Sequence, residues 1–511
     1  MIKNGLEGHR SLGNYLIPLL ASFGFTDSAQ KLFDRLAFRN HWSWNSLITL
    51  YAKSENLQCA ISLYRKMQDD SFVNTSKHTF VALLQASMKH RDFNTGIHLH
   101  SDLVRMGIPE NDPFIGTVLL DMYVKCGLLD KAREIFFKIQ TQDVVSWNAL
   151  ISGYAECGHG DEALHFFERM QFEGICPDAI TYVCSLKSCG IVGDMDKAIE
   201  IHAEIERKGW IESNLVIGNA LIDIYARNGL ILKAEEVFHE IPLRDVVSWT
   251  SLMAGYVDYG YATKALCCLE NMQLEGIFPN TFTFVCSLKA CGIIQSIEKG
   301  SDIHAEIDSK GLLKRNIFLR STLIDMYAKF GLLAKAQELF DEFPIQNVVL
   351  WTSLIAGYAE HECGAEALHW FTKMQFEGIP PNAVTFICSL KACGSIGATI
   401  KGREIHADIE RRGLERDIVI GTTLVDMYAR CECLDVALNM FEKLSMRDYV
   451  SWNALITGYA QLGRHANVFS FFNRMIHEGV EPDVVTFLVV LGVCSQAGMF
   501  AKGQMYFEAM S

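Results

Sequence analysis

A tryptophan recurs along this chain at a nearly constant interval. The stretch DVVSWNALISGYAECG begins at Asp143 and returns three times with small changes. The tryptophans of the four copies are 102, 102 and 101 residues apart, at Trp147, Trp249, Trp351 and Trp452. Trp44 precedes the first of them by 103 residues. Such a period indicates stacked repeats rather than one globular core, because each repeat packs only against its neighbours.

Each period divides into three shorter repeats, and the period that starts at Val144 has repeats of 35, 36 and 31 residues. We therefore predict one continuous array over residues 1–511. Its complete repeats cover residues 10–40, 41–76, 77–112, 113–143, 144–178, 179–214, 215–245, 246–280, 281–316, 317–347, 348–382, 383–417, 418–448 and 449–483. A partial repeat at 1–9 and a truncated repeat at 484–511 complete the array.

Each repeat carries two apolar stripes with helical spacing. In the repeat 144–178, Leu150, Ile151 and Tyr154 belong to the first stripe, and Phe167 and Met170 to the second. One helical hairpin cannot bury both of its faces, so neighbouring hairpins must stack. The predicted fold is all-α, a right-handed α-solenoid superhelix of stacked helix-turn-helix repeats, and the tryptophans are predicted to be core residues.

Turn residues mark where the helices of this repeat begin and end. The turn CGHGD separates the two stripes, and Asp161 is the predicted N-cap of the second helix. Gly174 is predicted to end that helix in a left-handed conformation, and Pro177 prevents its continuation.

Composition excludes several classes of protein. The sixteen cysteines include no C-x-x-C pair, so we expect free structural thiols and no metal site or cofactor. No apolar run reaches the roughly 18 residues that a membrane span requires. The N-terminal MIKNGLEGH resembles the end of a repeat rather than a transit peptide. The net charge of −14 argues against a uniformly basic nucleic-acid-binding surface.

The fifth residue of each repeat, one turn into its first helix, is of two kinds. In ten repeats, here called polar-fifth repeats, it is Asn14, Asn45, Thr117, Asn148, Asn219, Thr250, Ser321, Thr352, Thr422 or Asn453. In the aliphatic-fifth repeats it is Val81, Val183, Val285, Ile387 or Leu488. Asn, Thr and Ser are indifferent formers of helix interiors. We therefore predict that the polar side chains recognise something outside the helix.

The last residue of each polar-fifth repeat is also polar. These residues are Asn40, Ser76, Asp143, Asp178, Asp245, Asn280, Asn347, Asn382, Asp448 and Asp483. Asn, Asp and Ser are what the N-cap of the next helix requires. The aliphatic-fifth repeats end in the same residue types, at Asp112, Asn214, Asn316 and Asp417. Capping alone therefore explains the column, and a role in recognition depends on pairing with the fifth residue.

The second residue of several repeats is apolar, at Val145, Val216, Val247, Phe318, Val349, Val419 and Val450. One interpretation is a hydrophobic staple at the helix start. The other is a flat wall against which a planar base can stack.

Seven cations share a helix face with the fifth residue, because positions five, nine and thirteen are four residues apart. Position thirteen holds Lys125, Arg227, Lys329 and Arg430, and position nine holds Lys187, Lys289 and Lys391. We predict that they contact phosphates. The alternative is that they are solvated surface residues, which the acidic Glu156, Asp258 and Glu360 at position thirteen of other repeats favour.

Repeats of 35, 36 and 31 residues that contain WNALISGY, then G, EAL, FF and GI-PD, resemble the pentatricopeptide repeat family, in particular its PLS subclass. The resemblance covers essentially the whole chain. It implies a non-enzymatic binder of single-stranded RNA in a mitochondrion or chloroplast. It further implies that each repeat reads one base, with the RNA running 5′ to 3′ from the N to the C terminus, and that the fifth and last residues together select that base.

The chemistry of the side chains gives this code a physical basis. An Asp carboxylate accepts the ring N–H of guanine or uracil, and an Asn amide donates to the ring nitrogen of adenine or cytosine. A short Ser or Thr leaves room for a purine, and the larger Asn suits a pyrimidine. With n for an aliphatic-fifth repeat, the predicted RNA is C-C-n-G-U-n-U-A-n-A-A-n-G-U-n.

Some members of the subclass end in a zinc deaminase with H-x-E and C-x-x-C motifs. The HAE at His202–Glu204 and His304–Glu306 recurs at one repeat position, and no C-x-x-C follows, so we interpret it as repeat consensus. We predict a specificity factor for C-to-U editing, with any deaminase lost or supplied by another protein. The alternative is a protein-binding scaffold of tetratricopeptide type.

Overall fold

The computed structural model describes residues 12–36, 38–54, 56–69, 75–314, 316–342 and 347–509, and these residues form helices and turns without β-strands. The partial repeat predicted over residues 1–9 lies outside them. The chain divides into two compact halves, Met1–Gly255 and Tyr256–Ser511. Among the described helices, none has the length and apolar character needed to cross a membrane.

Helical hairpins follow one another through both halves. The helices that begin in the N-terminal half are α1 (Leu12–Ser22), α2 (Thr26–Arg35), α3 (His41–Lys53), α4 (Leu57–Asp69), α5 (Lys77–Lys89), α6 (Phe93–Arg105), α7 (Pro113–Lys125), α8 (Leu129–Lys138), α9 (Val144–Glu156), α10 (Gly160–Phe172), α11 (Ala179–Val192), α12 (Met195–Arg207), α13 (Trp210–Ser213), α14 (Leu215–Arg227), α15 (Ile231–Glu240) and α16 (Val246–Asp258).

The C-terminal half continues the pattern, with short 3₁₀ turns at Leu312–Lys314 and Leu414–Arg416. Its helices are α17 (Ala262–Leu274), α18 (Thr281–Ile294), α19 (Ile297–Ser309), α20 (Ile317–Lys329), α21 (Leu333–Asp341), α22 (Val348–Glu360), α23 (Gly364–Phe376), α24 (Ala383–Ile396), α25 (Thr399–Arg411), α26 (Ile418–Arg430), α27 (Leu434–Lys443), α28 (Tyr449–Gln461), α29 (His465–His477), α30 (Val484–Gln496) and α31 (Phe500–Ala509). The prediction of an all-α, helix-turn-helix fold is confirmed.

The last residue of each complete repeat caps the first helix of the next one. The Asp178 side chain accepts the backbone N–H of Thr181, and the Thr181 hydroxyl bonds back to the Asp178 N–H. Asn316 and Asp417, which end aliphatic-fifth repeats, also cap α20 and α26, where their side chains accept backbone N–H groups without a reciprocal hydroxyl. Capping is therefore common to both kinds of repeat and does not by itself distinguish a recognition site.

The second helix of the repeat 144–178 starts at a different residue from the one predicted. Helix α10 begins at Gly160, and its N-cap is His159 without a side-chain hydrogen bond, so the prediction of Asp161 as N-cap is wrong. A Cβ on Gly160 would lie 2.8 Å from the Ser188 carbonyl oxygen, which shows how closely the helix start approaches α11. Asp161 instead lies in the first turn, where its charge favours the helix dipole. Gly174 adopts φ of +78°, as predicted.

Each of the five recurring tryptophans packs against a phenylalanine of the preceding hairpin. Trp147, Trp351 and Trp452 are completely buried. The Trp147 ring meets Phe136 of α8 edge to face at 4.6 Å between ring centroids, and Trp452 meets Phe441 of α27 at 4.5 Å. This geometry is favourable for aromatic pairs. The prediction that the tryptophans are core residues is confirmed.

In the four repeats that start at residues 144, 246, 348 and 449, the tenth residue is a glycine packed against the preceding first helix. A Cβ on Gly458 of α28 would lie 2.6 Å from the Cβ of Ala429 in α26, and one on Gly153 of α9 would lie 2.5 Å from Val124 of α7. Real Cβ atoms do not approach so closely. The glycine of the WNALISGY motif therefore sets the separation of neighbouring first helices.

Candidate nucleic-acid interface

The side chains of three fifth residues donate a hydrogen bond to the side chain of the last residue of their own repeat. The Asn148 Nδ2 donates to Asp178 Oδ1 at 2.9 Å, and Asn453 Nδ2 donates to Asp483 Oδ1 at 2.9 Å. Asn219 and Asp245 form the same bond at 3.1 Å. The two positions are about thirty residues apart in sequence, and the hairpin returns the chain so that they meet.

A third side chain, which sequence reasoning did not single out, holds each of these asparagines in place. The hydroxyl of Thr181, the third residue of the next repeat, donates to Asn148 Oδ1 at 2.6 Å. Ser248 and Thr486 donate to Asn219 and Asn453 at the same distance. A small hydroxyl residue recurs at position three, which was the available sequence signal. Because an ionised carboxylate only accepts hydrogen bonds, the amide nitrogen must face it, and the amide oxygen then faces the hydroxyl.

The carboxylates of these three sites are held in the ionised form. Burial raises the pKa of Asp178, but hydrogen bonds from the Thr181 N–H, the Asn148 amide and the Thr181 hydroxyl outweigh that effect and leave the pKa below its ordinary value. The pKa values of Asp245 and Asp483 are lowered for the same reasons. All of the bonds that Asp178 accepts from Asn148 and Thr181 end on Oδ1. The hydrogen bonds to Oδ1 therefore fix the orientation of the Asp178 carboxylate.

The other polar-fifth repeats are arranged differently. The amide oxygens of Asn14 and Asn45 accept the backbone N–H of Asn40 and Ser76, at 3.2 and 2.9 Å. The hydroxyls of Thr117, Thr250 and Thr352 donate to the carbonyl four residues earlier in their own helix, and Ser321 to the carbonyl three residues earlier. The Thr422 hydroxyl is buried without a hydrogen-bond partner among the described residues.

Several fifth residues are less exposed to solvent than the predicted contact with an external partner would suggest. Asn148 exposes only 7% of its surface and Asn14 only 2%. Four fifth residues are in hydrogen-bonding contact with a hydroxyl of the next repeat, namely Asn148, Asn219, Thr352 and Asn453.

The second residues point into solvent. The seven that were singled out, Val145, Val216, Val247, Phe318, Val349, Val419 and Val450, are 40–69% exposed. The same position is exposed and apolar in six further repeats that were not predicted from the sequence, at Trp42, Phe114, Ile180, Phe282, Val384 and Val485. Side chains so exposed do not act as hydrophobic staples, since a staple is packed against its helix.

One cleft brings the three recurring positions together. It has a volume of about 480 Å³ and is lined by Trp42, Asn45 and Ser76, which are the second, fifth and last residues of one repeat. His78, the second residue of the next repeat, and Lys53, at position thirteen, also line it. An aromatic second residue, a polar fifth residue and a cation therefore line one cleft at this repeat.

The predicted phosphate contacts do not form one set. Each cation at position thirteen of a short repeat is bound to an aspartate at position nine of the same helix, as in Lys125–Asp121 at 2.8 Å and Arg430–Asp426 at 2.9 Å. The lysines at position nine of the aliphatic-fifth repeats, Lys187, Lys289 and Lys391, are exposed.

The histidines of the HAE motif have a structural environment. His202 Nδ1 lies 2.9 Å from the Tyr225 hydroxyl of the next repeat, and His304 lies 2.9 Å from that of Tyr327. Burial lowers the pKa of both imidazoles. Across the described part of the chain, no group of three or more His, Cys, Asp or Glu side chains is placed to hold a metal ion.

Comparison with known proteins identifies the family. A model described as the PPR repeat family matches residues 142–191, 244–292, 346–395 and 447–496. A PPR repeat model matches residues 42–72, 117–144, 180–210, 219–246, 320–347 and 422–449. Together these matches cover more than half of the chain. The protein therefore belongs to the pentatricopeptide repeat family.

Its relatives in Arabidopsis thaliana are longer. The chloroplastic pentatricopeptide repeat-containing protein At1g15510 is 34% identical over 98% of this chain and 57% of its own length. At2g39620 is 32% identical over 100% of this chain and 60% of its own length. The mitochondrial At3g09040 is 31% identical over 100% of this chain and 49% of its own length. The chain thus spans less than two thirds of each of these relatives.

Solved structures share the fold. The maize pentatricopeptide repeat protein PPR10 superposes with a TM-score of 0.60 at 21% identity, over 97% of this chain and 77% of that one. PPR10 in complex with an 18-nucleotide psaJ RNA element superposes with a TM-score of 0.52 at 16% identity, over 97% and 88%. At these identities the similarity establishes the helical-repeat fold alone.

Proposed function

We propose that this protein binds single-stranded RNA and that each polar-fifth repeat reads one base. The observation that carries the proposal is the joined pair of fifth and last residues, in which an ionised carboxylate is held by a fixed amide. A structural cap needs only the carboxylate and the helix N–H groups. The additional asparagine, itself held by a hydroxyl of the next repeat, fits the recognition of a planar edge.

Uracil fits the Asn148–Asp178 pair by hydrogen bonding. Uracil has a ring N–H between two carbonyl oxygens, and Asp178 has a second carboxylate oxygen to accept that N–H. Asn148 donates one amide hydrogen to Asp178 and has a second for a uracil carbonyl. Cytosine has a lone pair in place of the ring N–H, which an ionised carboxylate repels. The same argument assigns uracil to Asn219/Asp245 and Asn453/Asp483.

The remaining assignments follow the code set out above. Thr250/Asn280, Ser321/Asn347 and Thr352/Asn382 would read adenine, and Thr117/Asp143 and Thr422/Asp448 would read guanine. Asn14/Asn40 would read cytosine, and Asn45/Ser76 would prefer cytosine weakly. Exposed second residues such as Trp42, with His78 across the same cleft, would stack against the base.

We further propose a PLS-type organellar factor that specifies C-to-U editing, with any deaminase lost or supplied by another protein. The recurring order of repeat lengths supports the subclass, and relatives named as chloroplastic or mitochondrial support the compartment. Sequencing organellar transcripts from plants that lack the protein tests this. Loss of conversion at a cytidine downstream of the predicted element is expected, and unchanged conversion at all sites would rule out the editing role.

Equilibrium binding of the chain to the predicted RNA, C-C-n-G-U-n-U-A-n-A-A-n-G-U-n, tests the binding proposal. We expect binding at least about a hundredfold tighter than to a shuffled RNA of equal composition, because each mismatch costs about 1–3 kcal/mol. Salt concentration must be the same in both assays. Equal affinity for the two RNAs would refute the assignment of bases to repeats.

A further inference from the structure

The charged side chains at positions nine and thirteen of the first helices form two distinct groups. In the short repeats the cation at thirteen is bound to the aspartate at nine, at 2.8 Å in Arg227–Asp223 and 3.0 Å in Lys329–Asp325. The same bond joins Lys125 to Asp121 and Arg430 to Asp426. Each pair has no net charge, so its attraction for a phosphate is weak.

The lysines of the aliphatic-fifth repeats are different. Lys187, Lys289 and Lys391 are exposed, and among the described residues none of them forms an ion pair. At position thirteen, the preceding polar-fifth repeats have exposed acids, Glu156, Asp258 and Glu360. Within residues 144–448, the described cations at positions nine and thirteen that form no ion pair are therefore Lys187, Lys289 and Lys391, one in each period of three repeats.

The short-repeat cations also reach toward the aliphatic-fifth repeats. A Cβ on Gly292 of α18 would lie 3.2 Å from the Lys329 side chain, and one on Gly394 of α24 would lie 3.1 Å from that of Arg430. Gly292 is three residues after Lys289, and Gly394 is three residues after Lys391. Lys289 and the Lys329 side chain therefore both lie near the C-terminal end of α18. Lys391 and the Arg430 side chain lie near that of α24.

An open cleft is lined by residues of the third, fourth and fifth repeats, and the third is also an aliphatic-fifth repeat. Its volume is about 940 Å³, and Lys89, Arg91 and Lys125 line it together with Asp121 and Glu156. Position nine of the third repeat is Gln85 rather than a lysine, so this cleft does not belong to the set formed by Lys187, Lys289 and Lys391.

We propose that the protein holds the RNA backbone at every third nucleotide, through phosphate bound by Lys187, Lys289 and Lys391 of the repeats that read no base. This inference rests on the proposed RNA-binding function. It assigns the two tasks to different repeats: polar-fifth repeats select bases, and aliphatic-fifth repeats bind the backbone. The four paired cations contribute little, because their aspartates already neutralise them.

Salt dependence of binding separates the two groups of cations. For single strands each phosphate contact adds about −0.7 to the slope of log affinity against log salt, so three lysines account for a slope of about −2. The triple variant Lys187→Gln, Lys289→Gln, Lys391→Gln should lose that slope. Near 0.1 M salt it should bind the predicted RNA up to about a hundredfold more weakly, since each contact is worth about fivefold there.

Two matched variants provide the controls. The double variant Asp223→Asn with Arg227→Gln removes a whole ion pair, and we expect affinity within about twofold of the parent. Lys197→Gln changes a lysine of the second helix of the same repeat as Lys187, where it is bound to Glu168, and should leave binding unchanged.

The outcomes are distinguishable from failure of the proposed function. A triple variant that binds weakly but still prefers the predicted RNA over the shuffled one supports the inference. An unchanged salt slope in the triple variant, or an equal loss from removing the Asp223–Arg227 pair, would overturn it while base selection remains. If the parent protein does not distinguish the two RNAs, the proposed function itself fails.

Discussion

The double variant Asn148→Thr with Asp178→Asn is expected to change the base preferred at the fifth nucleotide of the predicted RNA from uracil to adenine. Losing the carboxylate removes the acceptor for the uracil ring N–H, and the new amide can donate to the adenine ring nitrogen. The shorter side chain at position five gives a purine more room. Preference should shift by about 10- to 100-fold, because a well-placed pair of hydrogen bonds discriminates by about 1–3 kcal/mol.

The chain contains its own precedent for this variant. Thr352, Asn382 and Thr385 occupy the positions of Asn148, Asp178 and Thr181 in a repeat of the same length. There the Asn382 side chain still accepts the Thr385 N–H, and the Thr352 and Thr385 hydroxyls are 2.7 Å apart. The helix cap should therefore survive the change, and thermal unfolding of the variant checks that it does.

The measurement is a two-by-two comparison of parent and variant with RNAs that carry uracil or adenine at that nucleotide. Base preference at the sixth nucleotide, opposite Val183, serves as the internal control and should be absent in both proteins. If parent and variant rank uracil and adenine identically, the fifth and last residues do not read this base.

The second large effect is expected where a glycine of one first helix packs against the preceding first helix. Gly458→Ala should destabilise the protein by about 1–3 kcal/mol, because the new Cβ would lie 2.6 Å from Ala429 Cβ and 3.5 Å from Leu434 Cδ2. The helix propensity of alanine offsets only part of this, about 1 kcal/mol. The midpoint of urea unfolding measures the change.

Two further variants distinguish steric overlap from other causes. Adding Ala429→Gly to Gly458→Ala makes room for the new methyl group, so the double variant should be more stable than additivity of the single changes predicts. Gly492→Ala is the matched control, since Gly492 lies in α30 and a Cβ there would meet no heavy atom within 4 Å. It should leave stability unchanged or raise it. Destabilisation there equal to that at Gly458 would contradict the steric explanation.

The sequence alone was sufficient to predict the features that recur along the chain. The apolar stripes, the buried tryptophans and the asparagine and aspartate caps are local or periodic, so thirteen-residue helices such as α9 and α28 could be located. Asp161 shows the limit of local rules, since tight packing of Gly160 against α11 fixes where α10 begins.

The candidate site needed the structure. The contact between Asn148 and Asp178 spans thirty residues, and the Thr181 hydroxyl that orients it comes from the next repeat. The ion pair of Asp223 and Arg227 has a spacing that is visible in the sequence, but its effect on the predicted phosphate contact depends on the two side chains meeting. Periodicity identified the positions, and the geometry identified which of them act together.

A substitution scan of the predicted fifteen-nucleotide RNA measures base reading most directly. Each nucleotide is replaced in turn by the other three bases, and the dissociation constant is determined at one salt concentration. The polar-fifth repeats predict losses of about tenfold or more per mismatch at ten positions. They predict no loss at positions 3, 6, 9, 12 and 15, which face aliphatic side chains. A uniform profile, or losses at those five positions as large as at the others, would contradict the reading of bases by the fifth and last residues.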